Sequence, residues 1–260
     1  EHWRPLRQPL PHYQQYGRFT QWLEHRFNAG EAVHGGIAWG LAVLPALAGV
    51  WLVYWILEGI APLLGWAWNV AVLYVTLGFK YYSDDAERIA RLLREGQLDA
   101  ARDALAEWRG GDASQFSEEE IARLTIEQTM AASHRQMFGV LIWFAVLAPL
   151  GPMGAVLFRT ASILDRRWAG ARGLFGRFAQ RAFHVVNWLP ARLTALSYAL
   201  CGFSRAATTR ALACWRAQAK AWDSPNAGPV MAAGAGALGV ALGGAAIYHG
   251  EVEQRPPLGE

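Results

Sequence analysis

Two stretches without a charged side chain set the terms for the whole chain: Ile37 to Leu57, 21 residues, and Ile60 to Phe79, 20 residues, parted only by Glu58-Gly59. At a rise of about 1.5 Å per residue, each is long enough to cross about 30 Å of hydrocarbon as a helix. The short interruption leaves room only for a tight turn, so residues 37–79 read as a transmembrane hairpin. Trp51, Trp55, Trp66, Trp68 and Tyr74 suit the two interfaces as anchors. A chain that is 53% hydrophobic, 17% charged and carries 13 Trp is too apolar for an ordinary soluble domain. Further apolar runs follow along its length. The expected class is therefore all-α: a polytopic integral membrane helical bundle.

Residues 1–36 are polar and aromatic. Phe19, Trp22, Leu23 and Phe27 mark an amphipathic piece from Tyr16 to Phe27 suited to the membrane interface, in contact with lipid. Because the sequence opens at Glu1 without a methionine, a further apolar segment is expected ahead of it. The net charge of +3 is modest, and its basic residues sit in short segments between apolar ones. That pattern fits an anionic cytoplasmic leaflet and not nucleic acid. Cys201 and Cys214 have no histidine at metal-ligand spacing, so neither zinc nor a disulfide framework is expected, and no metal site is predicted from cysteine or histidine spacing.

Residues 80–136 form a charged, proline-free soluble insert. Ile89, Leu92, Leu93, Leu98, Ala101, Leu105 and Trp108 recur at helical spacing with a break at Gly96, which predicts two short helices ending at Gly110-Gly111. Ser117 with Glu120 is a capping box opening a third. Beyond it, residues 137–260 read as membrane helices joined by basic loops. Met137 to Phe158 is apolar but broken by Pro149-Leu-Gly-Pro152, compatible with a kinked span or a re-entrant hairpin. Arg159 to Arg181 holds six arginines against the single acid Asp165 and is expected in the cytoplasm. The weaker apolar segment Val185 to Phe203 carries Asn187, Pro190 and Arg192. An ionisable group in such a segment points to function, and an arginine fork suits a carboxylate or phosphate. The alternative is an arginine snorkelling to the interface.

Near the end, Asp223-Ser-Pro-Asn-Ala-Gly-Pro229 leads into a small, apolar stretch, Val230 to Tyr248. It reads as a turn feeding one packed helix, with Ser224 and Asn226 at the start, Gly228 in the bend and Pro229 at the first helical position. Gly239 and Gly243 form a Gly-xxx-Gly pair that would admit a neighbouring helix. Gly234, Gly236 and Gly239 also fit the dinucleotide spacing, but no strand precedes them, and that reading fails.

Ser224-Pro-Asn226-Ala-Gly228, followed by Gly243-Gly244, Tyr248-His-Gly250 and Pro257-Leu-Gly259, resembles the C-terminal signature of the CobD/CbiB cobalamin-biosynthesis membrane family, the adenosylcobinamide-phosphate synthases. Asn187-Trp-Leu-Pro-Ala-Arg192-Leu resembles a second segment of the family. Gly96 to Arg102, Glu127, Phe158-Arg159 and Leu164-Asp165 match more weakly but in the same order. The resemblance implies an inner-membrane, multi-pass ligase joining a carboxylate of adenosylcobyric acid to aminopropanol or its phosphate, with ATP and Mg²⁺. It implies Glu127 and Asp165 as acids, with Arg159, Asn187, Arg192, Ser224, Asn226, Gly228, Tyr248 and Gly250 around a corrinoid substrate, and other corrinoid-pathway membrane proteins as partners. The chain departs from the family at Gln128 to His134, at Ser162 and at Phe183-His184, where carboxylates and amides are lost. The stretch His134 to Phe138 looks more like AmpE, a related membrane protein associated with β-lactamase induction, so a non-catalytic signalling or scaffold protein is the competing reading. A transporter built on the proline-broken segment is the third.

Overall fold

The computed structural model describes residues 11–202, 204–248 and 251–259. The chain divides into two compact units, one of residues 1–78 and 135–190, the other of residues 79–134 and 191–260. Among the described residues the regular structure is helical except for one two-stranded antiparallel sheet.

The first unit contains α1 (Pro11–Phe27), α2 (Ala32–Ile60), α3 (Pro62–Thr76), a π-helical turn (His134–Phe138, from Arg135 on), α7 (Gly139–Val146), α8 (Met153–Arg167) and α9 (Phe175–Val186). The buried residues of α2, Gly35, Ala38, Ala42 and Val43, all lie in its N-terminal half, against Leu164, Trp168, Phe175 and Ala179. The rest of its 29 residues present Leu44, Trp51, Leu52, Trp55 and Ile60 outward. Among the described residues α2 is the one helix long and apolar enough to cross a membrane. The break after it falls at Ala61, not at Glu58-Gly59. Ala61 is extended (φ −161°, ψ 134°) and Pro62 opens α3, because a residue ahead of proline is pushed out of the helical region. The 20-residue second run is realised as a 15-residue helix, docked to α2 by the Trp68 indole N–H on the Val50 carbonyl at 3.2 Å.

The proline-broken segment folds back on itself. A Cβ on Gly154 would stand 1.8 Å from the Trp143 carbonyl oxygen, and one on Gly139 would stand 2.0 Å from the Phe158 ring. These pairs set α7 and α8 antiparallel, so a hairpin replaces a kinked span. Val140, Ala155, Phe158, Ala161 and Phe183 close the core there.

The second unit holds α4 (Phe79–Arg94), α5 (Leu98–Arg109), α6 (Glu118–Ser133), α10 (Trp188–Leu200, from Ala191 on), α11 (Arg205–Gln218) and α12 (Ala227–Leu238), then β1 (Leu242–Tyr248) and β2 (Glu251–Leu258). Gly96 (φ +70°) breaks α4 from α5, and both bonds of the Ser117–Glu120 capping box are made. Ile89, Ala101, Leu105, Phe116, Ile121 and Leu124 fill the core of these three helices.

The end of the chain corrects the expected helix to Tyr248. α12 stops at Leu238, capped by Gly239 in the left-handed region (φ +66°), as helices commonly end. Gly243 and Gly244 (φ +85° and +77°) then sit at an irregularity in the β1–β2 register, between the pairs Leu242↔Leu258 and Gly244↔Arg255. The Gly239-xxx-Gly243 pair is therefore a cap and a strand bend and not a helix-packing motif. Leu242 and Leu258 return to a second core with Met130, Ala219, Met231 and Ala235.

Candidate functional site

The second unit builds a cationic corner where α10, the end of α11 and the turn before α12 meet. Buried Ala207, Ala211 and Cys214 give α11 a small inner face. Against it, α12 offers Gly236, where a Cβ would come 2.8 Å from the Ala211 Cα. Arg210 fixes the contact, its Nε donating to the Gly236 carbonyl at 2.7 Å. At the start of α12, Ser224 Oγ accepts the Ala227 N–H at 3.2 Å, and the Gly228 N–H returns to the Ser224 carbonyl at 2.9 Å. Pro229 is thus the third helical residue, not the first. Gly228 lies inside the helix, where a Cβ would stand 2.1 Å from the Ala219 carbonyl oxygen.

Asn226 occupies the N-cap position but does not cap. Its buried side chain instead accepts from Arg192, Nη1 to Oδ1 at 2.5 Å, while Arg192 Nη2 reaches the Pro225 carbonyl at 3.4 Å. The structure therefore joins the two segments on which the family resemblance rests, 34 residues apart. They border a cavity of about 510 Å³ lined by Arg192, Trp215, Arg216, Lys220, Trp222 and Asp223 among others. Three cations against one carboxylate, with two indoles, suit an anionic group carried on a broad apolar face. Arg192 is held from behind through α10: Thr194 Oγ1 lies 2.9 Å from His134 Nδ1, and the Tyr198 and Ser133 hydroxyls are hydrogen-bonded.

Glu127 serves a different end. Both its oxygens are engaged, Oε2 by Arg255 Nη1 at 2.6 Å and Oε1 by the Gly243 N–H at 2.8 Å. The side chains of this pair are 6% and 7% exposed. Arg255 in turn lies over the Trp222 ring, 5.3 Å from its centroid, and Trp222 also lines the 510 Å³ cavity. Arg255 escaped the sequence reading; the available signal was a lone acid on a mostly buried helical face, which requires a cation from elsewhere.

In the first unit, Asp165 pairs with Arg135 at 3.3 Å, and Arg135 stacks over Phe183 at 4.8 Å. Burial pushes the Asp165 carboxyl above its usual range, opposed by Arg135. Arg159 lies on the same helix, α8. Asn187 is buried at the end of α9, its N–H on the Phe183 carbonyl at 2.7 Å. Arg159, Asp165 and Asn187 thus belong to one unit, and Glu127, Arg192, Ser224, Asn226 and Gly228 to the other. Tyr248 lies on β1 opposite Glu251, and Gly250 is outside the described residues.

The family model for CobD/Cbib protein matches residues 6–260. The chain belongs to the CobD/CbiB family of cobalamin-biosynthesis proteins. It is 44% identical over 251 residues to the cobalamin biosynthesis protein CobD of Stutzerimonas stutzeri, covering 94% of this chain and 79% of that one. It is 44% identical over 225 residues to CobD of Chromobacterium violaceum, covering 85% and 64%, and 30% identical over 253 residues to CbiB of Salmonella typhi, covering 93% and 77%. The chain thus spans roughly two thirds to four fifths of these CobD/CbiB relatives. No solved structure matches it.

The magnesium expected of a CobD/CbiB synthase needs carboxylate oxygens. Glu127 has both of its own committed, Asp165 shares one with Arg135, and among the described residues no group of three or more acids, histidines or cysteines is placed to hold a metal ion. The donor set does not fit a protein-held magnesium site.

Proposed function

We propose that this chain is a membrane-bound acid–amine ligase of the adenosylcobinamide-phosphate synthase type, joining a propionate carboxylate of adenosylcobyric acid to aminopropanol or its phosphate. The observation that carries the reading is the Arg192–Asn226 corner at the indole-lined cavity. Arg192 would receive the carboxylate, with Asn226 holding the guanidinium in place. The indoles would face the corrin, and the turn Ser224 to Gly228 would hold Asn226 against Arg192. ATP and Mg²⁺ come to the proposal from family membership alone, and no step is derived through them. Arg159 and Asp165 are the cation and acid proposed from the first unit, and Tyr248 and Gly250 are carried by the family signature.

The exposed apolar length of α2, with α3 beside it, is read as the hairpin that anchors the chain in the inner membrane. The arginine-rich residues 159–181 and the charged insert face the cytoplasm, beside other membrane proteins of the same pathway. A cysteine placed at Ser114 should then resist an impermeant thiol reagent in intact cells; ready labelling would reverse the orientation.

One observation favours the AmpE-like, non-catalytic alternative: Glu127, one of two surviving acids, is consumed by an ion pair with Arg255. Complementation separates the two readings. In a strain lacking the synthase, the chain should restore corrinoid-dependent growth. Arg192→Ala and Asn226→Ala should abolish rescue while leaving membrane accumulation unchanged. No rescue by the well-accumulated chain itself would remove the enzyme reading.

A further inference from the structure

Large apolar side chains are scarce on the surface of the second unit. Among its described residues the exposed ones are Leu193, Leu196, Leu200 and Leu238. The first three recur at i, i+3 and i+7 and so form one ridge along α10. The other face of that helix is closed: Ala191, Thr194, Ala195 and Ala199 are fully buried, and Tyr198 donates to the Met130 carbonyl of α6 at 3.3 Å. Ser197, beside the ridge, turns its hydroxyl back onto the Leu193 carbonyl at 2.8 Å, which satisfies a polar group that an apolar medium would penalise. The charges nearby have one sign. From Ala191 to Trp222 the sequence holds Arg192, Arg205, Arg210, Arg216 and Lys220 and no acid.

We propose that α10 lies in the plane of a bilayer leaflet, with Leu193, Leu196 and Leu200 in the acyl boundary and Arg205, exposed five residues beyond the ridge, among anionic phospholipid headgroups. Length excludes a crossing, since 13 residues reach about 20 Å against about 30 Å of hydrocarbon. An apolar ridge in a cationic surround instead rests at the interface, about 5–10 Å into the headgroup and acyl boundary. Charge selects the partner: a run of five cations without an acid matches an extended negative surface, which an anionic leaflet supplies. The proposal rests on the reading that α2 anchors the chain, which keeps the second unit within reach of a bilayer. It also changes the expected topology, because Val185 to Phe203 then does not span. Leu193 follows Arg192 directly, so the Arg192–Asn226 corner stands at headgroup level.

The test is nitroxide depth, read by electron paramagnetic resonance on the full chain in nanodiscs of phosphatidylcholine and phosphatidylglycerol. Labels go on Leu193→Cys, Leu196→Cys and Leu200→Cys, one at a time, in a Cys201→Ser background that keeps the buried Cys214. All three should collide more with oxygen, which concentrates in hydrocarbon, than with a water-soluble nickel complex. Leu52→Cys, on the exposed length of α2, should do the same, and Ser114→Cys in the charged insert should do the reverse. A ridge open to the nickel complex, or shielded from both reagents as a protein cover would shield it, overturns the proposal while Leu52 stays lipid-like. A water-like Leu52 overturns the anchor reading itself, and this proposal with it. Arg205→Gln should lower the ratio of lipid-seated to water-facing label about fivefold in the anionic discs and leave it unchanged in phosphatidylcholine alone. Equal ratios for the parent in the two lipids would remove the anionic partner.

Discussion

Glu127→Gln takes one charge from a pair whose partners are 6% and 7% exposed and leaves Arg255 buried beside a neutral amide. Removing one member of a buried pair costs about 3–5 kcal/mol, mainly because the survivor's charge is left uncompensated. Glutamine keeps an oxygen for the Gly243 N–H, so its loss should fall at the lower end, near 3 kcal/mol. Glu127→Ala also orphans that N–H, adding about 1–3 kcal/mol. The double change Glu127→Leu with Arg255→Met removes both charges and should recover most of the loss, since apolar replacement of a whole buried pair is often neutral. For a chain of this size 1 kcal/mol moves the unfolding midpoint by roughly 2–4 °C, so Glu127→Gln should lower it by roughly 6–12 °C. The assay is thermal unfolding of the full chain in neutral detergent, followed by tryptophan fluorescence. Because Arg255 backs Trp222, the same variant should weaken complementation. A midpoint within about 2 °C of the parent, or a double variant as unstable as the two single losses added, would refute the assignment of Glu127 to the C-terminal hairpin.

Gly228→Ala should destabilise by about 1–3 kcal/mol or more through overpacking, since its Cβ would press on the Ala219 carbonyl oxygen. Gly49→Ala, which meets nothing within 4 Å inside α2, should be neutral or stabilising by about 0.5–1 kcal/mol; unfolding midpoints compare the two. The Glu120 carboxyl is held below its ordinary value by the Ser117 backbone N–H and hydroxyl. Its contribution to the start of α6 should be complete above the ordinary glutamate pKa and lost as pH falls through the lowered one. Amide exchange at Ile121 in the parent and in Glu120→Gln should therefore differ near neutrality and converge in acid.

What the sequence made legible was local. Ser117 and Glu120 are three residues apart, and the bonds that start α6 need nothing else; Gly96 and Gly110 likewise end their helices by their own conformations. At the C-terminus, where the reading failed, one deciding group lay far along the chain. Val230 to Tyr248 is apolar and small throughout, so periodicity alone could not separate a long helix from a short helix and a strand. The decision falls to three glycines with positive φ and to Glu127, whose oxygen takes the Gly243 N–H 116 residues away.

The same long reach reorganised the candidate site. Asn226 looked like a helix cap because asparagine before a helix usually is one. Ser224 takes an early N–H of α12 instead, which leaves the Asn226 amide oxygen for Arg192. On the proposed reading, that exchange makes Asn226 half of an anion corner. Glu127 moves the other way: a residue the family resemblance marks as chemical is the buried counter-charge of Arg255, and through Trp222 it shapes the cavity without facing it. On the proposed reading, the wall and the cation of a carboxylate site are present without Glu127 facing them. If the proposed ligase reading holds, recognition of an acid and activation of that acid are separable demands, and binding measured with and without turnover reads them one at a time.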